Sequence, residues 1–466
     1  MSKSRPPQHR GLAMAFALVA TAASAIVLST PELSVDALTA RLASTGGPRL
    51  KSIEPLPEMD SGSMCQLAPA AASQNEILAM LRSPQNAAEA PARDIASPGQ
   101  RNGIKDRAPL RVIKDPYPTY SAVAMDFNHD EIVLLDENLF QILAYDRTAN
   151  TPPQAAMTEP KRVLGGHHTK IEFNCGLYID PKNGDIYAVN NDTLDTLVIF
   201  NREAKGDVPP TRELSTPHRT YGIAVDEEKE EMYLTVQDAP MIVVYNKYAS
   251  GEDKPKRVIK GNSTRLADAH GMGLDIKNKW IFVANYGNGA VYSEEALKPG
   301  NVSSYGGRIN GSGYFTAPSI TVYPMDAEGD VAPIREIKGP KTMLNWPAHM
   351  FVDDANGDLY VANDGGHNVL VFKVTDNGDV APYRVIAGPK SNIKNPTGVY
   401  VDHKNNELVV SNMGNHMATV YPRTANGDVA PLRVIRGAPL DTPALQIGNP
   451  GAVAYDHKRD EILVPN

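Results

Sequence analysis

The sequence has no excess of positive charge, few helix-favouring runs and only two cysteines. Its 46 Lys and Arg against 54 Asp and Glu give a net charge of −8, which argues against a nucleic-acid partner because no positive field attracts a polyanion. The scarcity of helix-favouring runs, beside 37 Pro and 36 Gly, favours many short strands joined by turns. Cys65 and Cys175 allow one disulfide at most, and the sequence leaves their pairing open.

Several motifs of catalysis and metal binding are also missing. The chain contains no G-x-S-x-G, H-E-x-x-H, P-loop, C-x-x-C-H or EF-hand pattern. No short motif therefore indicates an enzyme class, and any site must be sought in the long-range pattern of the sequence.

Residues 1–25 have the pattern of an export signal. A basic start, MSKSRPPQHR, is followed by the apolar GLAMAFALVATAA and by Ala23-Ser24-Ala25, which predicts cleavage and a periplasmic or secreted protein. An uncleaved N-terminal membrane anchor stays open, because the apolar stretch can be extended to about 18 residues. Residues 26–105 predict a low-complexity linker, with a short helix near 74–82 after the capping box Ser73-Gln-Asn-Glu76.

A repeat of seven units fills residues 106–466, with four strand signals in each full unit and only two in the last unit before residue 466. The first strand of every unit ends in Asp: Asp126, Asp180, Asp226, Asp275, Asp353, Asp402 and Asp456. We interpret these aspartates as caps of the following turn. A unit of four short antiparallel strands at this period predicts an all-β fold, a seven-bladed β-propeller.

A second element of the repeat is the phrase NGDVAPYRVI, which begins at Asn377 and recurs from Asn426 as NGDVAPLRVI. It predicts a turn followed by the outermost strand, with its Pro and Arg protecting the sheet edge. A further copy, LRVIKD at Leu110–Asp115, precedes the first full unit. It therefore predicts that an N-terminal strand completes the last blade and closes the ring, while the source of that blade's third strand stays open.

The segment Leu359–Phe372, LYVANDGGHNVLVF, resembles an NHL repeat, and LVVSNMGNHMATVY at Leu408–Tyr421 is similar. The resemblance extends over residues 106–466 and implies a propeller of a family whose members are mostly binding or scaffolding modules. Some relatives are enzymes, such as peptidylglycine amidating lyase and streptogramin lyase, and gluconolactonase-like propellers are more distant. Their functional residues cannot be placed on this sequence position by position.

Histidines supply the first candidate site. Four residues before each terminal Asp the chain has Gly or Ala in six units, because inner strands crowd near the axis, but it has His349 in the fifth. His218 and His270 also precede or lie within inner strands, so we expect the three imidazoles to converge at one mouth of the channel. They predict a divalent-metal site, and hydrogen-bonded structural histidines are the alternative.

Other candidate ligand-binding residues lie on the same face. An insertion of about 29 residues between residues 286 and 318 carries Tyr286, Tyr292, Tyr305 and Tyr314, and we predict ligand contacts for Tyr286 and Tyr314. Asn285 and Asn363 end second strands at this face and are predicted to contact ligand.

Together these features lead to two hypotheses. The first is an exported binding or scaffold module for a protein, peptide or glycan, with no nucleic acid and no membrane contact beyond the N-terminal anchor left open above. The alternative is a metal-dependent lyase or lactonase with a histidine-lined site.

Overall fold

The computed structural model describes residues 105–107, 109–115, 119–298, 308–435 and 451–465. The predicted signal peptide, linker and helix near 74–82, together with Cys65 and Tyr305, lie outside this part. The described residues contain strands and one-turn 3₁₀ helices but no α-helix. Within them, no helix has the length and apolarity needed to cross a bilayer.

The strand β1 (Lys105–Arg107) precedes the first three blades. Blade 1 contains β2 (Tyr120–Asp126), β3 (Glu131–Asp136), β4 (Gln141–Asp146) and β5 (Arg162–Gly165). Blade 2 contains β6 (Asn174–Ile179), β7 (Ile186–Asn190), β8 (Thr196–Phe200) and β9 (Arg212–Ser215). Blade 3 contains β10 (Thr220–Asp226), β11 (Glu231–Val236), β12 (Met241–Asn246) and β13 (Arg257–Ile259).

Blade 4 carries the insertion between its second and third strands. It contains β14 (Ala269–Asp275), β15 (Trp280–Asn285), the insertion ladder β16 (Asn288–Gly289) and β17 (Tyr314–Phe315), β18 (Ser319–Pro324) and β19 (Arg335–Lys338). Blade 5 contains β20 (Pro347–Asp353), β21 (Asp358–Asn363), β22 (Asn368–Lys373) and β23 (Arg384–Ile386). Blade 6 contains β24 (Pro396–Asp402), β25 (Glu407–Asn412), β26 (Met417–Pro422) and β27 (Arg433–Ile435). The 3₁₀ helices are His167–Thr169, Pro340–Thr342, Asp364–Gly366 and Met413–Asn415.

The all-β propeller of four-stranded antiparallel blades is confirmed, but the structure has six such blades and not the predicted seven. The last strands, β28 (Ala454–Asp456) and β29 (Glu461–Leu463), form only a two-stranded sheet, and β28 contacts both β24 and β2. The prediction was wrong because, within the described residues, the seventh unit has no third strand to link β29 to an outer strand. We call this two-stranded sheet the seventh unit.

The N-terminal segment lies next to the last unit, as predicted, but it does not form the predicted closing strand. The strand β1 pairs in parallel with β27, so it adds a fifth strand to blade 6. The segment Leu110–Asp115 forms no strand, although the guanidinium of Arg111 contacts the carboxylate of Glu461 on β29. The N-terminal segment thus lies beside the seventh unit without completing it.

The core lies between successive blades. Second and third strands such as β11 and β12 are buried along nearly their whole length, and Leu234 and Val243 have no exposed surface. They pack with Val189 and Ile199 of blade 2 in one cluster. Burying a large apolar side chain contributes about 1.5–3 kcal/mol, so stacking blades stabilises what one blade cannot.

The terminal aspartates cap turns, as predicted. Asp226 Oδ1 accepts hydrogen bonds from the backbone N–H of Glu228 at 3.0 Å and of Lys229 at 3.1 Å. The other units repeat this contact: Asp126, Asp180, Asp275, Asp353, Asp402 and Asp456. These carboxylates therefore belong to the fold and not to a metal ring.

The repeated phrase fastens each blade to the preceding one. In blade 6, Asn426 Oδ1 accepts a hydrogen bond from the backbone N–H of Val385 at 2.9 Å, and Asp428 Oδ1 accepts one from Lys390 at 2.7 Å. Both donors belong to blade 5 or to the connection that follows it. Blades 2, 4 and 5 repeat the aspartate bond to the preceding connection, through Asp207, Asp330 and Asp379.

The arginine of the phrase does not guard an edge as predicted. Arg257 of β13 reaches across β12 to Glu231 of β11, with nitrogen–oxygen distances of 3.0 and 2.7 Å. Three further blades repeat this pair, which we call the charge clamp: Arg162–Glu131, Arg384–Asp358 and Arg433–Glu407. The charge clamp ties the outer strand to the second strand within one blade.

Candidate functional site

A cavity of about 960 Å³ lies between the inner strands and opens at the histidine face. Its lining includes the residue four before each terminal Asp: Ala122, Gly176, Gly222, Gly271, His349, Gly398 and Ala452. A Cβ on Gly271 would stand 2.3 Å from the carbonyl oxygen of Ala348, which confirms that neighbouring inner strands approach too closely for most side chains. We call this cavity the channel.

A β-bulge in the inner strand of each of the six blades redirects a second residue of that strand. In blade 4 the pairing of β14 with β15 shifts between Ala269 and Met272, and the other five blades have equivalent shifts. Bulges redirect side chains, so the residue five before the terminal Asp also lines the channel in most units: Ser121, Cys175, Tyr221, Ala348, Thr397 and Gly451. In blade 4 this residue is His270.

His349 is the one imidazole at the narrow ring of inner strands. Its side chain is accessible from the channel, but it lies deep within the protein, because the inner strands enclose the channel around it. This burial, together with the nearby His270, lowers the pKa of His349 to about 4, so its ring is neutral at pH 7. A neutral imidazole offers a ligand one hydrogen-bond donor and one acceptor.

Four aromatic rings contact one another in a row at the mouth, which we call the aromatic row: the Tyr221–His270 contact is tilted and the other two are stacked. Tyr221 and His270 have ring centroids 4.8 Å apart, His270 and Tyr286 are stacked at 3.6 Å, and Tyr286 and Trp346 lie 5.5 Å apart. Tyr221 and Tyr286 line the channel, whereas Trp346 is 56 % exposed at the mouth. Because the inner rings cover one another's faces, the row offers a ligand ring edges, tyrosine hydroxyl groups and the exposed ring of Trp346.

Hydrogen bonds fix the central ring of the aromatic row. Gln237 Oε1 accepts a bond from Asn191 Nδ2 at 3.1 Å, so its Nε2 donates to His270 Nε2 at 2.8 Å. The His270 proton then lies on Nδ1, which donates to the backbone oxygen of Asp268 at 3.2 Å. With both nitrogens engaged, His270 orients Tyr286 and is not available as a metal ligand.

The charge of the channel comes from acidic groups. Glu137 and Asp364 line it, and none of the described lining residues is Lys or Arg. Burial raises the pKa of Glu137, while a hydrogen bond from Ser121 opposes the shift. Burial also raises the pKa of Tyr221 and Tyr286, so both hydroxyl groups stay neutral. The mouth suits a neutral or positively charged ligand.

Two predicted ligand-binding residues have structural roles instead. Asn285 and Asn363 are fully buried. Asn285 Oδ1 accepts a hydrogen bond from the backbone N–H of Ala267 at 3.0 Å, and Asn363 Oδ1 accepts one from Asn345 at 2.7 Å. Their amides hold the connection that enters each inner strand, and neither lines the channel.

The three predicted metal-binding histidines are not brought together. His218 Nδ1 lies 2.9 Å from Asp195 Oδ1, and His218 is not part of the channel lining. In the described part of the chain, no three His, Cys, Asp or Glu side chains are grouped to hold a metal ion. The structure therefore gives no support to a metal site at His218, His270 and His349.

Among the described residues of the insertion, one lines the channel. Tyr286 stands at its start, whereas Tyr292 donates a hydrogen bond to the backbone oxygen of Pro240 at 2.9 Å and is buried against blade 3. Tyr314 is 43 % exposed and lies outside the channel lining. Only Tyr286 of the predicted tyrosines is therefore placed to contact a ligand in the channel.

The Cys175 side chain lies in the channel as an unreactive thiol. Burial, with a smaller contribution from Glu137, raises the pKa of Cys175 to about 12, so the thiolate is scarce at neutral pH. Pairing with Cys65 stays a prediction, because Cys65 lies outside the described residues.

The sequence interpretation missed Glu137, Tyr221 and Trp346. Tyr221 stands five before a terminal Asp, a position that alternation assigns to the opposite face and that only the bulge exposes. Glu137 directly follows Asp136, and a search of the residues that follow second strands could have found it. Trp346 is one of only two tryptophans, and its place next to an inner strand was a usable signal.

Comparisons with known proteins do not identify a family for this chain. One solved structure, a functionally unknown protein from Desulfotomaculum acetoxidans DSM 771, is 10% identical, covers 76% of this chain and 91% of its own, and has a TM-score of 0.49. A scan against family models finds no match, and a search of curated proteins finds none either.

Proposed function

We propose that this protein is an exported, NHL-like binding module that captures a basic peptide segment of a partner protein at the mouth of the channel. The aromatic row is the observation that carries the proposal. Its exposed end is the ring of Trp346, beside Asp364, whose backbone N–H donates to the Trp346 carbonyl oxygen at 3.0 Å. Asp364 and Glu137 supply negative charge to the channel, and none of its described lining residues is Lys or Arg. A Lys or Arg side chain on an aromatic face gains about 0.5–2 kcal/mol, and a carboxylate adds to it.

The size of the channel supports the same reading. Its volume of about 960 Å³ is at the upper end of ligand sites, so it accepts a few side chains and not a folded domain. Neutral His349 offers hydrogen bonds below the rings. A neutral glycan would gain no charge attraction from the carboxylates, and this difference separates the two ligands in an experiment.

The test uses the full chain and a fluorescent oligo-lysine peptide, with a neutral oligosaccharide as the competing probe. Replacing Tyr286 with Ala should weaken peptide binding at least tenfold, whereas Tyr314→Ala, in the same insertion but outside the channel, should leave it unchanged. Equal affinity in the wild type and in Tyr286→Ala would contradict the proposal. Binding of the oligosaccharide alone would assign the mouth to glycans.

The enzymatic alternative is not carried further, because His218 lies outside the channel lining and no group of three metal-binding side chains forms among the described residues. Export is part of the proposal and rests on the pattern of residues 1–25. Intact-mass measurement of the protein recovered after expression with its first 25 residues tests it, with loss of that segment as the expected result.

A further inference from the structure

The seventh unit contains a cleft where the six complete blades have their third strand. Strands β28 and β29 supply the inner half of a blade, and the segment Arg111–Ile113 lies on the outer side. A cavity of about 690 Å³ lies between them. Within the described residues, no strand pairs with the outer edge of β29.

The charge clamp shows how wide the cleft is. In blade 3, Arg257 reaches Glu231 across β12. The contact of Arg111 with Glu461 repeats this pair in the seventh unit. Neighbouring strands of a sheet are about 4.8 Å apart, so a charge clamp joins the second and fourth strands of a blade at a separation of about 10 Å. The cleft therefore has the width of one strand.

A backbone hydrogen bond independently places the outer segment. Thr151 of blade 1 donates its N–H to the carbonyl oxygen of Val112 at 2.7 Å. At the next junction, Gly206 of blade 2 donates to the carbonyl oxygen of Val163 on β5 at 2.6 Å. Val112 therefore contacts blade 1 in the same way as the outermost strand of blade 1 contacts blade 2.

One side of the cleft is lined by apolar residues of blade 1. In other blades, the third strand of the preceding blade covers the equivalent residues. Ile132 and Leu134 of blade 1 each keep 7% of their surface exposed, whereas the equivalent Met232 and Leu234 of blade 3 have none exposed. Leu463 packs on the same cluster. Alternate apolar side chains of an added strand would bury this surface.

The chain's own sequence fits this place poorly. In complete blades the third strand is the strand before the outer strand in the sequence. In blade 6 the connection between them begins with residues 422–427, PRTANG, and residues 98–103, PGQRNG, have the same spacing from Pro to Gly before the segment Arg111–Ile113. The six residues ending at Pro98 read RDIASP, where β26 reads MATVYP. Asp94 and Ser97 would stand where Ala418 and Tyr421 are fully buried, and burying a charge there is costly.

We propose that this cleft is a docking site for an extended segment of another protein, which adds as an antiparallel strand beside β29. The third strands define its chemistry: alternating apolar residues with an aromatic residue opposite Ile462, as Phe372 stands opposite Leu359 in blade 5. Main-chain hydrogen bonds to β29 give affinity, and the apolar wall gives preference for sequence. The proposal is independent of the channel.

The test uses a fluorescent synthetic peptide that copies Asn368–Lys373, with flanking Gly-Ser residues, and the full chain. We expect saturable binding by fluorescence anisotropy. A peptide with Pro in place of the residue corresponding to Leu370 should bind at least tenfold more weakly, because Pro cannot pair in a central strand. Leu463→Lys should weaken binding similarly, whereas Leu432→Lys, at an exposed residue outside the cleft, should not.

Two results would overturn the proposal. One is equal binding of the two peptides, or no saturable binding, and this holds even if Leu463→Lys fails to fold. The other is complete disulfide formation between Ser97→Cys and Ile462→Cys in a chain with both natural cysteines replaced by Ser, since the chain itself would then fill the cleft.

Discussion

Replacing Glu231 with Gln removes the charge of one charge clamp and keeps the shape of the side chain. In the folded protein, hydrogen bonds from Arg257 outweigh the opposing effect of burial and lower the pKa of Glu231 from 4.5 to about 2. A difference of about 2.5 units, at 1.36 kcal/mol per unit, sets an upper bound of about 3.4 kcal/mol. The side chain is only 6% exposed, but it lies at the rim, where solvent screens the pair, so we expect about 1–2 kcal/mol.

The pH dependence follows from the direction of the shift. Because the folded pKa lies below the unfolded one, the stabilisation is complete above about pH 4.5 and is lost as the pH falls toward 2. In urea unfolding, the free energy of unfolding of the wild type should exceed that of Glu231→Gln by about 1–2 kcal/mol at pH 7, and the difference should shrink strongly by about pH 2.5.

A control carboxylate separates this effect from general charge removal. Glu228 is exposed in the turn before β11, and Glu228→Gln should change the free energy of unfolding by less than about 0.5 kcal/mol at either pH. The reasoning would be refuted by a difference between wild type and Glu231→Gln that is constant from pH 7 to pH 2.5, or by none at pH 7.

Two further predictions concern the channel. Gly271→Ala should lower the free energy of unfolding, measured by urea titration, by about 1–3 kcal/mol, because the new Cβ would stand 2.3 Å from a carbonyl oxygen. The control Gly451→Ala should change it little, because the nearest atom to its Cβ is 3.7 Å away. Equal effects of the two substitutions would contradict the close approach of the strands. At pH 8, Cys175 should react with iodoacetamide far more slowly in the folded protein than in the denatured protein, because burial raises its pKa to about 12. Peptide mass mapping measures the extent of alkylation. Rapid alkylation of the folded protein would be inconsistent with this burial.

The parts of the fold predicted from sequence depend on local chemistry. The terminal aspartates were interpreted correctly because a carboxylate bonds backbone groups two and three residues on, whatever surrounds it. The Gly and Ala before them were correct because every inner strand has the same crowded neighbour. His349 stood out against that regular background, and the structure places it in the channel.

The errors come from contacts that periodicity does not encode. Seven strand patterns suggested seven blades, but a blade is complete only when all its strands pair, and β29 has one strand partner among the described residues. Asn285 and Asn363 looked available because they end strands on the correct face, yet the following connection uses their amides. The bulges, which bring Tyr221 into the channel, cannot be recognised from the alternation of apolar and polar residues along the strands.

A propeller built from near-identical units offers an incoming molecule several equivalent ways to turn about the central axis. That degeneracy is removed here, because one sector carries His349 and the adjoining rings from Tyr221 to Trp346, and no other sector of the described lining repeats this row. A bound molecule therefore has a single preferred rotation, and its far end always points toward the same loops.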